Sequence, residues 1–193
     1  MGCLHRRRVS QRPMSNWNTY RRRGGAGTAP ATAPVPVLLY ENPEPATGFV
    51  QNTLNGDARA SVWTPPAAGF ITAISFWARV TQASPGTGHY ELWTGETIPA
   101  LQLVASESIN HGAWSTSYEW HEVEITPTPF AAGLKLWAAM EKDTGNTLPK
   151  QTIGYTLGAA VSPHKLASQF GSDTWIGGST LTTFCLRLTG YYT

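Results

Sequence analysis

The sequence predicts an all-β fold, an antiparallel β-sandwich or jelly roll with a long extended N-terminal arm. Three observations predict it. Charged residues are only 13% of the 193, whereas Gly (19), Pro (14) and Trp (8) are abundant, a balance that suits short strands joined by turns. Segments rich in β-branched and aromatic residues recur between clusters of Gly, Pro, Asn and Ser, with no sustained helical period. The first 23 residues hold seven arginines and no acid, in a stretch too poor in apolar side chains to build a core.

The arm comes first along the chain. Arg6, Arg7, Arg8 and Arg12 precede Trp17 and Tyr20, and Arg21, Arg22 and Arg23 follow them. Next is GGAGTAPATAPVP (24–36), whose Gly, Ala, Thr and Pro content predicts a flexible or polyproline-like linker. Residues 1–47 are assigned to the arm and 48–193 to the body. At about 3.3 Å per residue the arm could reach roughly 150 Å. The 170 residues after the arginines carry seven basic and twelve acidic side chains, a net of −5. A basic arm on an acidic body asks for a partner rather than for a place in the fold.

Strands follow. GFITAISFWARV (69–80), GHYELWTG (88–95), ALQLVASESI (100–109), YEWHEVEIT (118–126), LKLWAAMEK (134–142) and TTFCLRLTGYY (182–192) are the strong segments, and VPVLLYE, FVQNTL, SVWT and IGYTL are weaker ones. SPGTGH (84–89) and DTGN (143–146) read as hairpin turns. Alternation assigns Phe70, Ile74, Phe76 and Val80 to one core-facing stripe, Leu134, Leu136, Ala138 and Met140 to a second, and Phe184, Leu186 and Leu188 to a third.

Chemistry-bearing patterns are scarce. Nucleophile elbow, HExxH helix, phosphate-binding loop and dinucleotide fingerprint are all lacking. His5, His89, His111, His121 and His164 show no metal-ligand spacing, and Cys3 and Cys185 make no disulfide framework. Glu119, Glu122 and Glu124 are close enough to suggest a hydrolytic carboxylate pair, but Glu122 and Glu124 alternate with Val123 and Ile125 as on a solvated strand face. The expectation is no enzyme, no cofactor and no metal. No apolar run is long enough for a transmembrane helix, and polar residues rather than an apolar stretch follow the first arginines, so neither a membrane span nor a secretory leader is expected.

Trp77 shares its strand face with Arg79, Trp93 with Glu91, and Trp137 with Lys135 and Glu141. Either these indoles pack beneath loops, neighbouring strands or the arm, or they form a surface aromatic site. The expectation is that at least two of the three are covered in an assembly, with no saccharide site.

The body also resembles a family of jelly-roll-like accessory domains of unassigned activity. The resemblance runs through Gly69, Ile71, Ile74 and Phe76, then Leu92 and Trp93, Trp120, and finally Pro127, Gly133 and Trp137. Such domains occur in bacterial surface and carbohydrate-active proteins and in structural proteins of tailed phages. With no accompanying enzyme or secretion signal, the resemblance implies the phage setting. There the protein would be a non-enzymatic head decoration, head spike or minor tail component, assembled into a virion in the host cytoplasm. The partners expected are other virion proteins, including copies of itself, docked through the arginines, Trp17 and Tyr20. The competing reading is a carbohydrate-binding or adhesion module that meets a cell-surface glycan through its Trp-bearing face. A nucleic-acid binder acting through the arm is the third and least favoured.

Overall fold

Strands form where the sequence alternates, and the computed structural model describes them over residues 33–42, 48–52, 57–81, 86–143, 151–161, 164–165, 175 and 181–193. They are, in chain order, β1 (Val37–Asn42), β2 (Gly48–Asn52), β3 (Ala58–Trp63), β4 (Gly69–Val80), β5 (Thr87–Thr94), β6 (Leu101–Ala105), β7 (Ile109–Asn110), β8 (Glu119–Phe130), β9 (Leu136–Lys142), β10 (Gln151–Val161), β11 (His164–Lys165), β12 (Leu181–Phe184) and β13 (Leu186–Tyr192). Among the described residues the helical segment is a single 3-10 turn, His111–Ala113.

Two antiparallel sheets pack as a sandwich. The first runs β1-β13-β4-β10-β12, with β8 on the other edge of β4 and β2 on β10. The second runs β11-β3-β9-β5-β6, with β7 also on β5. Prolines 127 and 129 are tolerated in β8 because that strand pairs with β4 alone among the described strands, so a missing N–H faces no second neighbour.

Between the sheets, Ile74, Phe76, Leu186 and Leu188 from the first meet Tyr90, Leu92, Leu136, Ala138 and Met140 from the second, all buried. The rings of Phe76 and Tyr90 meet edge to face at 5.1 Å. The second and third expected stripes therefore face the core, with Leu134 packed at its margin.

The first stripe is corrected at its start. Thr72 has no partner on β13, where Ala73 pairs with Thr189 and Ile71 with Gly190. A bulge of this kind reverses the alternation. Ile71 and Ile74 thus both enter the core, while Phe70 turns outward and stacks on Tyr191 at 5.3 Å.

The arm boundary also shifts. The chain divides into two units, Met1–Ala33 and Pro34–Thr193, and Val37–Asn42, counted with the arm on composition, is the edge strand β1 in register with β13. Its Leu39 and Tyr40 pack against the core. Arg6, Arg7, Arg8, Arg12, Trp17, Tyr20, Arg21, Arg22 and Arg23 lie outside the described residues, as do Thr144, Gly145 and Asn146 of the expected DTGN turn.

Candidate functional site

The second sheet has an outer face built as a second small cluster. Alternation turns His89, Glu91 and Trp93 of β5 away from the core, and register sets His89 opposite Glu141, Glu91 opposite Ala139 and Trp93 opposite Trp137 of β9. One strand further, Ala58, Ala60 and Val62 of β3 pair with Glu141, Ala139 and Trp137. On the other edge Gln102 of β6 is level with Trp93. Three alanines make a low floor, and Trp137 and the single described residue of its segment, Trp175, are buried over it.

Glu91 is the hub of this face. Its side chain is only 3% exposed, and a buried carboxylate is stable only when its oxygens are bonded. Oε2 accepts the indole N–H of Trp93 at 2.8 Å, while Oε1 accepts the Gln102 amide at 2.6 Å and meets His89 Nε2 at 3.2 Å. The other imidazole nitrogen, Nδ1, is 2.7 Å from Asp143 Oδ1, and Ser108 donates to Asp143 Oδ2 at 3.2 Å. With a carboxylate at both ring nitrogens, His89 is an imidazolium. The Glu91 hydrogen bond, against the opposing effect of burial and with help from the charges of Glu91, Asp143 and Glu141, raises its pKa to about 9.

Trp137 is anchored differently. Its indole N–H donates to the Gly95 carbonyl at 2.7 Å. Only glycine fits at 95, because a Cβ there would stand 2.0 Å from the Ile98 carbonyl oxygen. Trp93 is half-buried, its ring edge-on to Trp175 at 5.7 Å.

Trp77 belongs elsewhere. It lies on the outer face of the first sheet, across β4 and β8 from Trp120, with ring centres 5.7 Å apart. Arg187 sits 3.9 Å over the Trp120 ring and pairs with Glu41 at 2.8 Å, while Arg79 lies 4.6 Å over Tyr118. The three tryptophans singled out from the sequence therefore split between opposite outsides of the sandwich. Alternation says which side of its own strand a residue takes, not which sheet receives the strand.

Glu122 and Glu124 are exposed on that same first-sheet face, at the rim of a cleft of about 400 Å³ beside Pro36 and Pro127. Ser75 donates to Glu122 at 3.2 Å, which fits the solvated strand face read from the sequence.

Among the described residues, His89, Glu91 and Glu141 each bring a ligating atom within 4.8 Å of the others. Sequence spacing does not show this trio, because Glu141 reaches it across the β5–β9 register. A divalent cation would need neutral His89, and the two carboxylates on its ring oppose that at neutral pH. The H-x-E-x-W spacing of 89–93 does place three site residues on one strand face. Gln102, Asp143, Trp175 and the alanine floor carry no comparable signal.

No protein-family model matches the chain, and no curated protein does. Among solved structures it is similar to the clostridial cysteine protease Cwp84 after propeptide cleavage, with a TM-score of 0.54 and 10% identity, over 77% of this chain and 38% of that one. A second structure of Cwp84 comprises its cysteine protease and lectin-like domains, and is described as coming from a surface layer associated protein of Clostridium difficile. It matches with a TM-score of 0.49 and 11% identity, over 78% of this chain and 37% of that one. This chain thus spans well under half of the matched structure. At that identity the likeness shows a shared β-sandwich fold.

Proposed function

We propose that the domain is a non-enzymatic carbohydrate-binding module, and that its site is the outer face of the second sheet around Trp93. The observation that carries this reading is the fixed indole. Saccharide recognition calls for an aromatic plane held rigidly beside polar groups that meet hydroxyls. Trp93 is held by Glu91 and flanked in register by Gln102. His89, Glu141 and Asp143 lie further along the same face.

The phage-virion reading rested on the family resemblance, taken without an enzyme or secretion signal, and on the arm, whose arginines lie outside the described residues; no described feature favours it over the aromatic face. The likeness to Cwp84 supplies the fold and no more.

A glycan array probed with the full chain tests the proposal. Specific signals are expected, lost in Trp93→Ala and kept in Trp77→Ala, since Trp77 is on the opposite sheet. Signals that survive Trp93→Ala, or a blank array with folded protein, would overturn it.

A further inference from the structure

Trp93 is the partly exposed indole of this face, and the two beside it are covered. Trp137, directly opposite on β9, is 3% exposed and Trp175 is 6% exposed, whereas Trp93 is half-buried. The Trp137 N–H is held by the Gly95 carbonyl, and the Trp175 ring stands edge-on to Trp93. Ala58, Ala60 and Ala139 are fully buried. On the β9 and β3 side, then, the described residues offer a ligand no second aromatic plane.

The other directions are as short. Gln102 of β6 lies level with Trp93, about 4.8 Å away across the ladder, and β6 ends the sheet order β11-β3-β9-β5-β6. Along β5, Glu91 is buried, and His89, two residues and about 6.8 Å further, is an imidazolium bonded at both nitrogens. A cationic ring lacks the electron-rich face on which sugar C–H groups stack. The other partly exposed indoles of the described strands, Trp77 and Trp120, belong to the opposite sheet. Among the described residues, a chain of linked sugars crossing this face therefore meets one aromatic plane.

From this arrangement we infer that the site engages a single sugar ring of its ligand and not a run of linked rings. This inference rests on the carbohydrate reading of the Trp93 face. Each further ring stacked on an aromatic plane would tighten binding by up to about tenfold, and the covered Trp137 and Trp175 provide no such plane.

Ligand length is the variable in the test. Full-length protein is titrated by calorimetry with β-1,4-linked oligomers of glucose, N-acetylglucosamine, mannose and xylose, each series running from one ring to six, and with matched fragments of any glycan bound on the array. Trp93→Ala is titrated alongside, its fold checked by circular dichroism. In a series that binds, the dissociation constant per molecule is expected to tighten by no more than the number of rings, about sixfold from one ring to six, because a longer oligomer only offers more copies of the same unit. Tightening beyond that factor, lost in Trp93→Ala, would overturn the single-ring site while leaving the carbohydrate reading intact. Binding that survives Trp93→Ala, or no binding to any series or on the array, would remove both.

Discussion

Glu91 and Trp93, two residues apart on β5, are joined side chain to side chain by a 2.8 Å hydrogen bond on the outside of the second sheet. The carboxylate is buried and the indole half-exposed, so the polar group is the support and the aromatic ring the surface it presents. A lone buried carboxylate would be costly, and the three donors converging on it make it tolerable.

Replacing Glu91 by Ala removes the acceptor for all three donors and leaves His89 with the hydrogen bond to Asp143 and the more distant charge of Glu141. Loss of one partner from a buried ionic network costs about 3–5 kcal/mol, read as a lowered midpoint in denaturant unfolding. The His89 pKa should also fall from about 9 toward its ordinary value, as followed by NMR titration of the imidazole. An unchanged His89 titration would show that Glu91 is not the group that holds the proton.

Two histidines set opposite pH slopes. Burial lowers the His111 pKa to about 3, against weaker help from Asp143. The unfolded chain, with a histidine near 6.5, therefore binds more protons than the fold between about pH 3 and 6.5. Stability should fall on acidification through that window by about 1.4 kcal/mol per pH unit for this group. Burial lowers His121 in the same direction. His89 is raised to about 9, so its contribution is complete below about pH 6.5 and is lost as pH climbs from there to about 9. Urea midpoints measured from pH 4 to 9 should show a shallower acid side in His111→Gln and a shallower alkaline side in His89→Gln. Identical profiles for wild type and both variants would contradict these assignments.

Phe70 and Phe76 differ because of the bulge at Thr72. Phe76→Ala should cost about 3–5 kcal/mol, as expected for an aromatic side chain removed from a closed core. Phe70→Ala loses mainly its stacking on Tyr191, worth about 1 kcal/mol. Equal losses in thermal unfolding would place Phe70 in the core after all.

Edge strand β1 gives a truncation experiment. A chain beginning at Gly48 lacks the β1 ladder on β13 and the packing of Leu39 and Tyr40, and bares the β13 edge to solvent. It should melt several degrees lower than a chain beginning at Ala33, and aggregate more readily. Equal melting temperatures would return residues 37–42 to the arm.

Much of the fold was legible in the sequence, because a strand with one buried face writes that face into every second residue. The stripes Leu136–Ala138–Met140 and Leu186–Leu188, the turn-rich punctuation and the low charge content determined an all-β sandwich, and H-x-E-x-W in β5 already put His89, Glu91 and Trp93 side by side. Three things were decided only in three dimensions. The Thr72 bulge inserted one residue and reversed the faces before it, exchanging Phe70 for Ile71, and no residue type announces such an insertion. The pairing of β1 with β13 joins positions nearly 150 residues apart in the chain, beyond the reach of local composition. The partition of Trp77 from Trp93 and Trp137 depends on which sheet each strand enters, and a period of two is the same in both sheets. Register, a long-range property of hydrogen-bonded ladders, is what brings Glu141, Gln102 and Asp143 to the hub at Glu91 and turns three residues of one strand into a site.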